Sequence, residues 1–175
     1  MLSSDRNPLV LIKTSLGDVT VEVFEDKAPL TSNNFLRYVD GKMYDGTSFF
    51  RTVTMGNQLD SEVKIEVIQG GRVQPESSYP PIGHETTQET NLKHIDGTIS
   101  MARREPGSAT SSFFLCIGDQ PELDFGGRRN PDGQGFAAFG RVVDGMGIVR
   151  LIHGQPAEGQ RLKRPVEIIA VRRIN

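Results

Sequence analysis

The sequence predicts an all-β fold: a closed eight-stranded antiparallel barrel capped by two short α-helices. Three observations carry the prediction. Eight segments rich in apolar and β-branched residues recur along the chain with turn residues between them. Two further segments have helical spacing with start and stop signals. The 175 residues show no internal repeat and no linker, and their number suits one domain with a proper core better than two.

The first strand is expected over 9–14. In the second, 18–24, Val19, Val21 and Val23 alternate with Thr20 and Glu22, so one face is wet. Residues 30–38 read as a helix, with Thr31 or Ser32 as N-cap, Phe35, Leu36 and Val39 on the apolar face and Gly41 as the stop. The third strand, 47–53, carries the run Phe49-Phe50-Arg51-Thr52-Val53. If Phe49, Arg51 and Val53 share a pleated face, a guanidinium lies among apolar side chains. Burying that charge is costly unless something pairs with it. Further strands follow at 63–69, 98–102, 112–117 and 136–142. Asp144 is the expected N-cap of a second helix, 146–152, which Gly154 ends; the last strand is 165–172. Eight strands can close a barrel whose interior side chains fill, and two helices can plug its ends. Residues 1–8 are expected to form a flexible segment ahead of a domain spanning 9–175.

Composition excludes several classes of function. Lys and Arg number 20 against 22 Asp and Glu, a net charge of -2, so nothing argues for nucleic acid. No apolar stretch approaches the roughly 18 residues of a membrane span, so no membrane insertion is expected. The first eight residues lack the apolar core of a signal peptide. Cytoplasm is therefore the expected compartment, with a bacterial periplasm as the alternative if a signal was removed. One cysteine allows no intramolecular disulfide, and Cys116 reads as an inert core thiol. His84, Glu85 and His94 share no helical face and read as loop polarity, so no metal is expected. No Ser sits in a strand–turn–helix elbow. The glycine-rich stretch 118–135 does not open a helix as a phosphate loop must, and its glycines read as turn chemistry. Long connections at 55–62 and 72–91 are, with 118–135, the places where binding tends to sit on a rigid barrel.

Several runs carry a resemblance: Phe49-Phe50-Arg51, Ile68-Gln69-Gly70-Gly71, Leu92-Lys93-His94, Gly97-Thr98-Ile99-Ser100-Met101-Ala102, Phe113-Phe114-Leu115-Cys116, Leu123-Asp124 and Ala138-Phe139-Gly140-Arg141-Val142, with Gly145-Met146 after them. In that order and register they resemble the cyclophilin family of peptidyl-prolyl cis–trans isomerases, over essentially 9–173. The resemblance implies the same capped eight-stranded barrel. It places Arg51 at the catalytic arginine and Gln69 at the active-site glutamine. Phe114 and Leu123 fall where the family lines its proline pocket, and Ala102 where backbone binds the substrate.

Other positions depart from the family. Phe50 replaces a His, and Glu66 and Val67 stand where a pocket Phe and Met are expected, after an insertion at 54–66. Arg103 replaces an Asn and Ser112 a second Gln. Glu122 stands where many members have Trp, and Phe136 where they have His. Val67, Arg103, Ser112 and Phe136 are thus candidate substrate-binding positions, and losing the Trp implies weak cyclosporin binding.

The implied chemistry needs no cofactor. Rotation about an X–Pro bond is slow because amide resonance sets a barrier of about 18–20 kcal/mol. In the twisted state the nitrogen becomes a hydrogen-bond acceptor, so an arginine aimed at it favours that state over either planar one. The expected partners are proline-containing peptides and unfolded or folding proteins, bound by a monomer. Two other readings compete. One is a non-catalytic cyclophilin-like module that binds proline-containing peptides. The other is a small-molecule carrier, which would need an open barrel lumen.

Overall fold

In the computed structural model, which describes residues 6–175, the strands pair in one antiparallel sheet that closes on itself. Strand β1 (Leu9–Thr14) pairs with β2 (Gly17–Val23). Around the barrel follow β7 (Ala137–Asp144), β5 (Thr98–Met101), β6 (Phe113–Cys116), β4 (Val67–Gly70), β3 (Ser48–Val53) and β9 (Arg161–Arg173), and β9 returns to β1. A two-residue ribbon, β8 (Ala157–Glu158), pairs with β9. The expected eight-stranded barrel is the observed one.

Two strand boundaries moved for identifiable reasons. The strand expected over 63–69 begins only at Val67. Upstream, the Gln58 side chain takes both backbone groups of Ile65: its Nε2 donates to the Ile65 carbonyl at 2.7 Å, and its Oε1 accepts the Ile65 N–H at 3.1 Å. A side chain that satisfies the backbone locally removes it from the ladder. The last strand starts four residues earlier than 165. Pro165, which has no N–H to donate, falls between the pairs Phe49–Val166 and Arg51–Arg161, where the register against β3 breaks.

The barrel interior is filled by Phe49, Ile68, Ile99, Met101, Phe113 and Leu115, all essentially inaccessible to water. That packing leaves a carrier's lumen no room. Helix α1 (Pro29–Asp40) packs on β7 and β9, and its Phe35 meets Phe113 edge-on at 5.6 Å. Helix α3 (Met146–His153) packs on β2, β3 and β4 through Val149 and Ile152. A third helix, the single turn α2 (Thr87–Thr90), lies in a connection expected to be irregular; its N-cap Thr86 accepts the Glu89 N–H. None of these helices is long and apolar enough to cross a membrane.

The expected caps are both replaced. Neither Thr31 nor Ser32 caps α1, whose N-cap is Ala28 with Pro29 in the first turn. Glu85 does the work from a distant loop, accepting from the backbone N–H groups of Leu30 and Thr31 and from the Thr31 hydroxyl. A carboxylate there satisfies orphan donors and suits the positive end of the helix dipole. Asp144 stays in β7, and Gly145 starts α3 at φ +92°, where an added Cβ would lie 2.3 Å from the Asp18 carbonyl oxygen. Of the N-terminal segment 1–8, residues 1–5 lie outside the described residues. Asn7 and Pro8 are tied down, the Asn7 side chain to Glu22 and the Pro8 carbonyl to the Val23 N–H.

Candidate active site

A bulge in β3 brings Arg51 to the outer wall of the barrel. The register of β3 shifts between Phe49 and Arg51 against both of its neighbours. One extra residue reverses the faces that follow it. Phe49, Arg51 and Val53 therefore do not share the expected face: Phe49 points into the filled interior, while Val53 joins an outer apolar cluster with Ile65, Val67, Phe114, Cys116 and Leu123. Arg51 pairs across β4 with Gln69, and Gln69 pairs in turn with Phe114 on β6, so strand register alone aligns the three.

They border a cavity of about 240 Å³, lined on its apolar side by Ile65, Val67, Ala102, Phe114, Leu123 and Phe136. That is smaller than the roughly 300–1,000 Å³ of typical small-molecule sites and suits one compact group of a larger ligand. Phe114 and Phe136 meet edge-on at 5.2 Å and form a corner. Leu123 arrives from a short 3-10 turn, Pro121–Leu123, and is fully buried.

The Arg51 guanidinium has no carboxylate partner among the described residues. Its Nη1 donates to Gln69 Oε1 at 2.9 Å, and its Nε and Nη2 donate to Gln160 Oε1 at 2.9 and 2.6 Å. Of its five N–H donors, two find no protein acceptor among the described residues. Burial, and then the nearby Arg129 charge, push its pKa below the usual arginine range. Gln69 is itself oriented: its Nε2 donates to Ser112 Oγ at 3.0 Å, and that hydroxyl donates to the Gly70 carbonyl at 3.2 Å. Ser112 thus lies beside Gln69, lining a neighbouring groove rather than the cavity.

Arg103 lines the cavity with a side chain only 2 % exposed, and its donors are fully used. They meet both Asp132 carboxylate oxygens, the Gly135 carbonyl twice and the Arg104 carbonyl. That bonding holds the Asp132 carboxyl below its usual range. The guanidinium also lies over the Phe136 ring at 5.1 Å. Gly135, at φ +64°, lets the chain pass Leu123, whose carbonyl oxygen would sit 2.5 Å from an added Cβ.

Behind Phe114 stands a sealed polar network. His94 stacks parallel to the Phe114 ring at 6.0 Å. Its Nδ1 and backbone N–H both meet Asp124 Oδ1, at 2.7 and 2.8 Å, and its Nε2 meets Ser100 Oγ at 2.9 Å. These residue types recur in hydrolases, but Ser100 is 0 % and His94 1 % exposed. No substrate reaches that hydroxyl; the network props Phe114 and ties down the turn that carries Leu123. Cys116 is also sealed, its thiol pushed up first by burial and then by Asp124 and Asp96.

Strand and turn thus bring together the expected Arg51, Gln69, Val67, Phe114, Leu123, Ala102, Phe136 and Arg103. Ile65, rather than Glu66, supplies the first apolar side chain of the wall. Three residues at the site had no sequence signal. Gln160 arrives because its carbonyl accepts the Thr52 N–H at 2.9 Å. Arg129 and Asn130 come from a stretch legible only as turns.

An apolar notch beside a guanidinium held by neutral groups can take a compact ring next to a hydrogen-bond donor. The chain belongs to the cyclophilin-type peptidyl-prolyl cis-trans isomerase family, whose model, described as "Cyclophilin type peptidyl-prolyl cis-trans isomerase/CLD", matches residues 9–173. It is 33% identical over 175 residues to a peptidyl-prolyl cis-trans isomerase of Acinetobacter baylyi, covering 94% of this chain and 85% of that one. It is 36% identical over 151 residues to peptidyl-prolyl cis-trans isomerase B of Escherichia coli, covering 83% and 84%. A solved cyclophilin-type isomerase of Cryptosporidium parvum shares the fold at a TM-score of 0.78 and 20% identity, over 97% of this chain and 98% of that one. A second structure of that parasite protein was obtained in the presence of the dipeptide Ala-Pro; its TM-score is 0.75 at 20% identity, over 95% and 99%. The chain is accordingly a peptidyl-prolyl cis–trans isomerase.

Proposed function

We propose that Arg51 is the group that lowers the barrier, by donating to the prolyl nitrogen as the X–Pro amide twists. The proline ring sits among Val67, Phe114, Leu123 and Phe136, and backbone near Ala102 holds the adjoining peptide. A planar amide nitrogen is a poor acceptor because its lone pair is delocalised. At the half-rotated geometry the lone pair is released, and the free donors of Arg51 meet it. The contact is stronger in the transition state than in either planar state, which is the requirement for raising kcat.

One observation carries this reading: at the edge of an apolar cavity, a partly buried guanidinium is bonded, among the described residues, only to the amide oxygens of Gln69 and Gln160. A carboxylate partner would have neutralised it. Amide oxygens fix its direction and leave its charge available in a site where charge is weakly screened. Gln69 acts as the orienting partner, with Ser112 holding its amide.

The substrates are proline-containing peptides and unfolded or folding chains, taken by a monomer. The solved relative prepared with Ala-Pro supports this substrate class. Cyclosporin binds weakly: Glu122, at the family's Trp position, pairs with Arg128 at 2.7 Å outside the cavity and offers no indole. A protease-coupled assay on an Ala-Pro peptide tests the catalytic role. Arg51→Ala is expected to lower kcat/KM by about a hundredfold with the fold intact. Activity within about threefold of wild type would remove Arg51 from the mechanism.

A further inference from the structure

The cavity holds a second unpaired cation that the isomerase mechanism does not use. Arg129, half-buried on its wall, donates through Nη1 to Gln58 Oε1 (3.0 Å), Ser61 Oγ (3.1 Å) and the Val63 carbonyl (2.7 Å). Every one of these partners is neutral, and Arg129 has no carboxylate within salt-bridge distance among the described residues. Its neighbour Asn130 also lines the cavity, and its Nδ2 is buried without any hydrogen-bond partner among the described residues. The third arginine there, Arg103, is already neutralised by Asp132.

Two like charges and an orphan donor around one small cavity are an arrangement that water-poor surroundings make costly. Burial pushes both guanidiniums below the usual arginine range, and Arg51 is depressed further by Arg129. An anionic group with several acceptor sites would relieve all of these at once, and a carboxylate is such a group.

We propose that Arg129 and Asn130 form a carboxylate-binding subsite beside the proline notch, so that this isomerase prefers X–Pro segments with a carboxylate next to the ring. Two substrates present that chemistry: a chain that ends in proline, and one with Asp or Glu beside proline. The inference rests on the isomerase reading of this cavity and adds a substrate class to it. Arg129 is a specificity residue here; Arg51 remains the catalyst.

The test compares matched peptides on the wild-type protein by NMR exchange. The first pair is Ala-Pro-Glu against Ala-Pro-Gln within a common longer peptide. The second is the same peptide ending in Ala-Pro with a free carboxylate against its C-terminal amide. We expect about a tenfold higher kcat/KM for the acidic member of at least one pair, expressed in KM and shrinking as salt is raised. Which pair responds tells a side-chain carboxylate from a terminal one. Arg129→Gln should bring the ratio towards unity and Arg129→Lys should restore part of it, whereas a purely structural role would lower both members alike. Equal rates for acidic and neutral members of both pairs in wild type would overturn the subsite while leaving the isomerase reading standing. Absence of turnover on all four peptides would instead overturn the isomerase reading itself.

Discussion

The two sides of the cavity are built by different means, and the difference decides what a substitution does at each. On one side, Arg51, Val67, Gln69 and Phe114 stand on three adjacent strands, where ladder hydrogen bonds fix which residues face outward. On the other, Ile65, Arg129, Asn130 and Phe136 stand on connections outside the ladder. Polar side chains supply the missing order there. Gln58 folds one connection around itself, Arg129 joins it to the other, and Arg103 clamps the second against the rim. Damage to the barrel side should therefore cost stability or chemistry directly. Damage to the loop side should cost geometry, and so substrate affinity.

Phe114→Ala is the largest blow to stability on the barrel side. The ring is 5 % exposed, flanked by His94 and Phe136, so its removal leaves a cavity worth about 3–5 kcal/mol in a urea unfolding experiment. Gln160→Ala removes two of the three bonds that aim Arg51. It should lower kcat by about tenfold, more than KM changes, because each charge-assisted hydrogen bond contributes about 1.5–3 kcal/mol. On the loop side, Arg103→Ala frees Asp132 and the Gly135 carbonyl. A rise in KM of about fivefold, with faster amide exchange confined to 125–135, would mark a wall that has lost its clamp. Equal losses in kcat and KM for Gln160→Ala and Arg103→Ala would erase the distinction between the two sides.

The smallest effect lies away from both. Arg172 holds the Asp45 carboxyl below its usual range, chiefly through hydrogen bonds of 2.7 Å. Asn7 does the same to Glu22, with Arg141 assisting against burial. Groups depressed in the folded state bind fewer protons there than when unfolded. Their stabilisation is thus present above the unfolded carboxylate range, about 3.9–4.3, and lost as pH falls through the folded values. Urea midpoints should drop between pH 6 and pH 3, and Asp45→Asn should flatten that drop.

The sequence was informative where a repeating pattern carries the information. Period-two alternation located β2, and the apolar runs located β5, β6 and β7, because strands half-buried in one sheet must repeat. The resemblance picked out Arg51, Gln69, Phe114 and Leu123 because each stands in a short run that matches the family's own. Features that depend on one unforeseen partner were not legible. A bulge leaves no mark in a run such as Phe49-Phe50-Arg51, so strict alternation puts Phe49 and Arg51 on one face, which the structure separates. Glu85 capping α1 and Gln160 holding Arg51 join residues 54 and 109 positions apart. Arg129 and Asn130 lie among glycines whose turn chemistry is real but says nothing about where the intervening side chains point.

NMR exchange at saturating Ala-Pro peptide, on wild type and on Arg51→Gln, separates holding the proline from turning it. If the guanidinium acts on the twisted amide, the variant should bind the peptide with an affinity within about threefold of wild type while the cis–trans rate on the protein falls by about a hundredfold. An unchanged exchange rate in the variant, or a loss wholly accounted for by weaker binding, would contradict it.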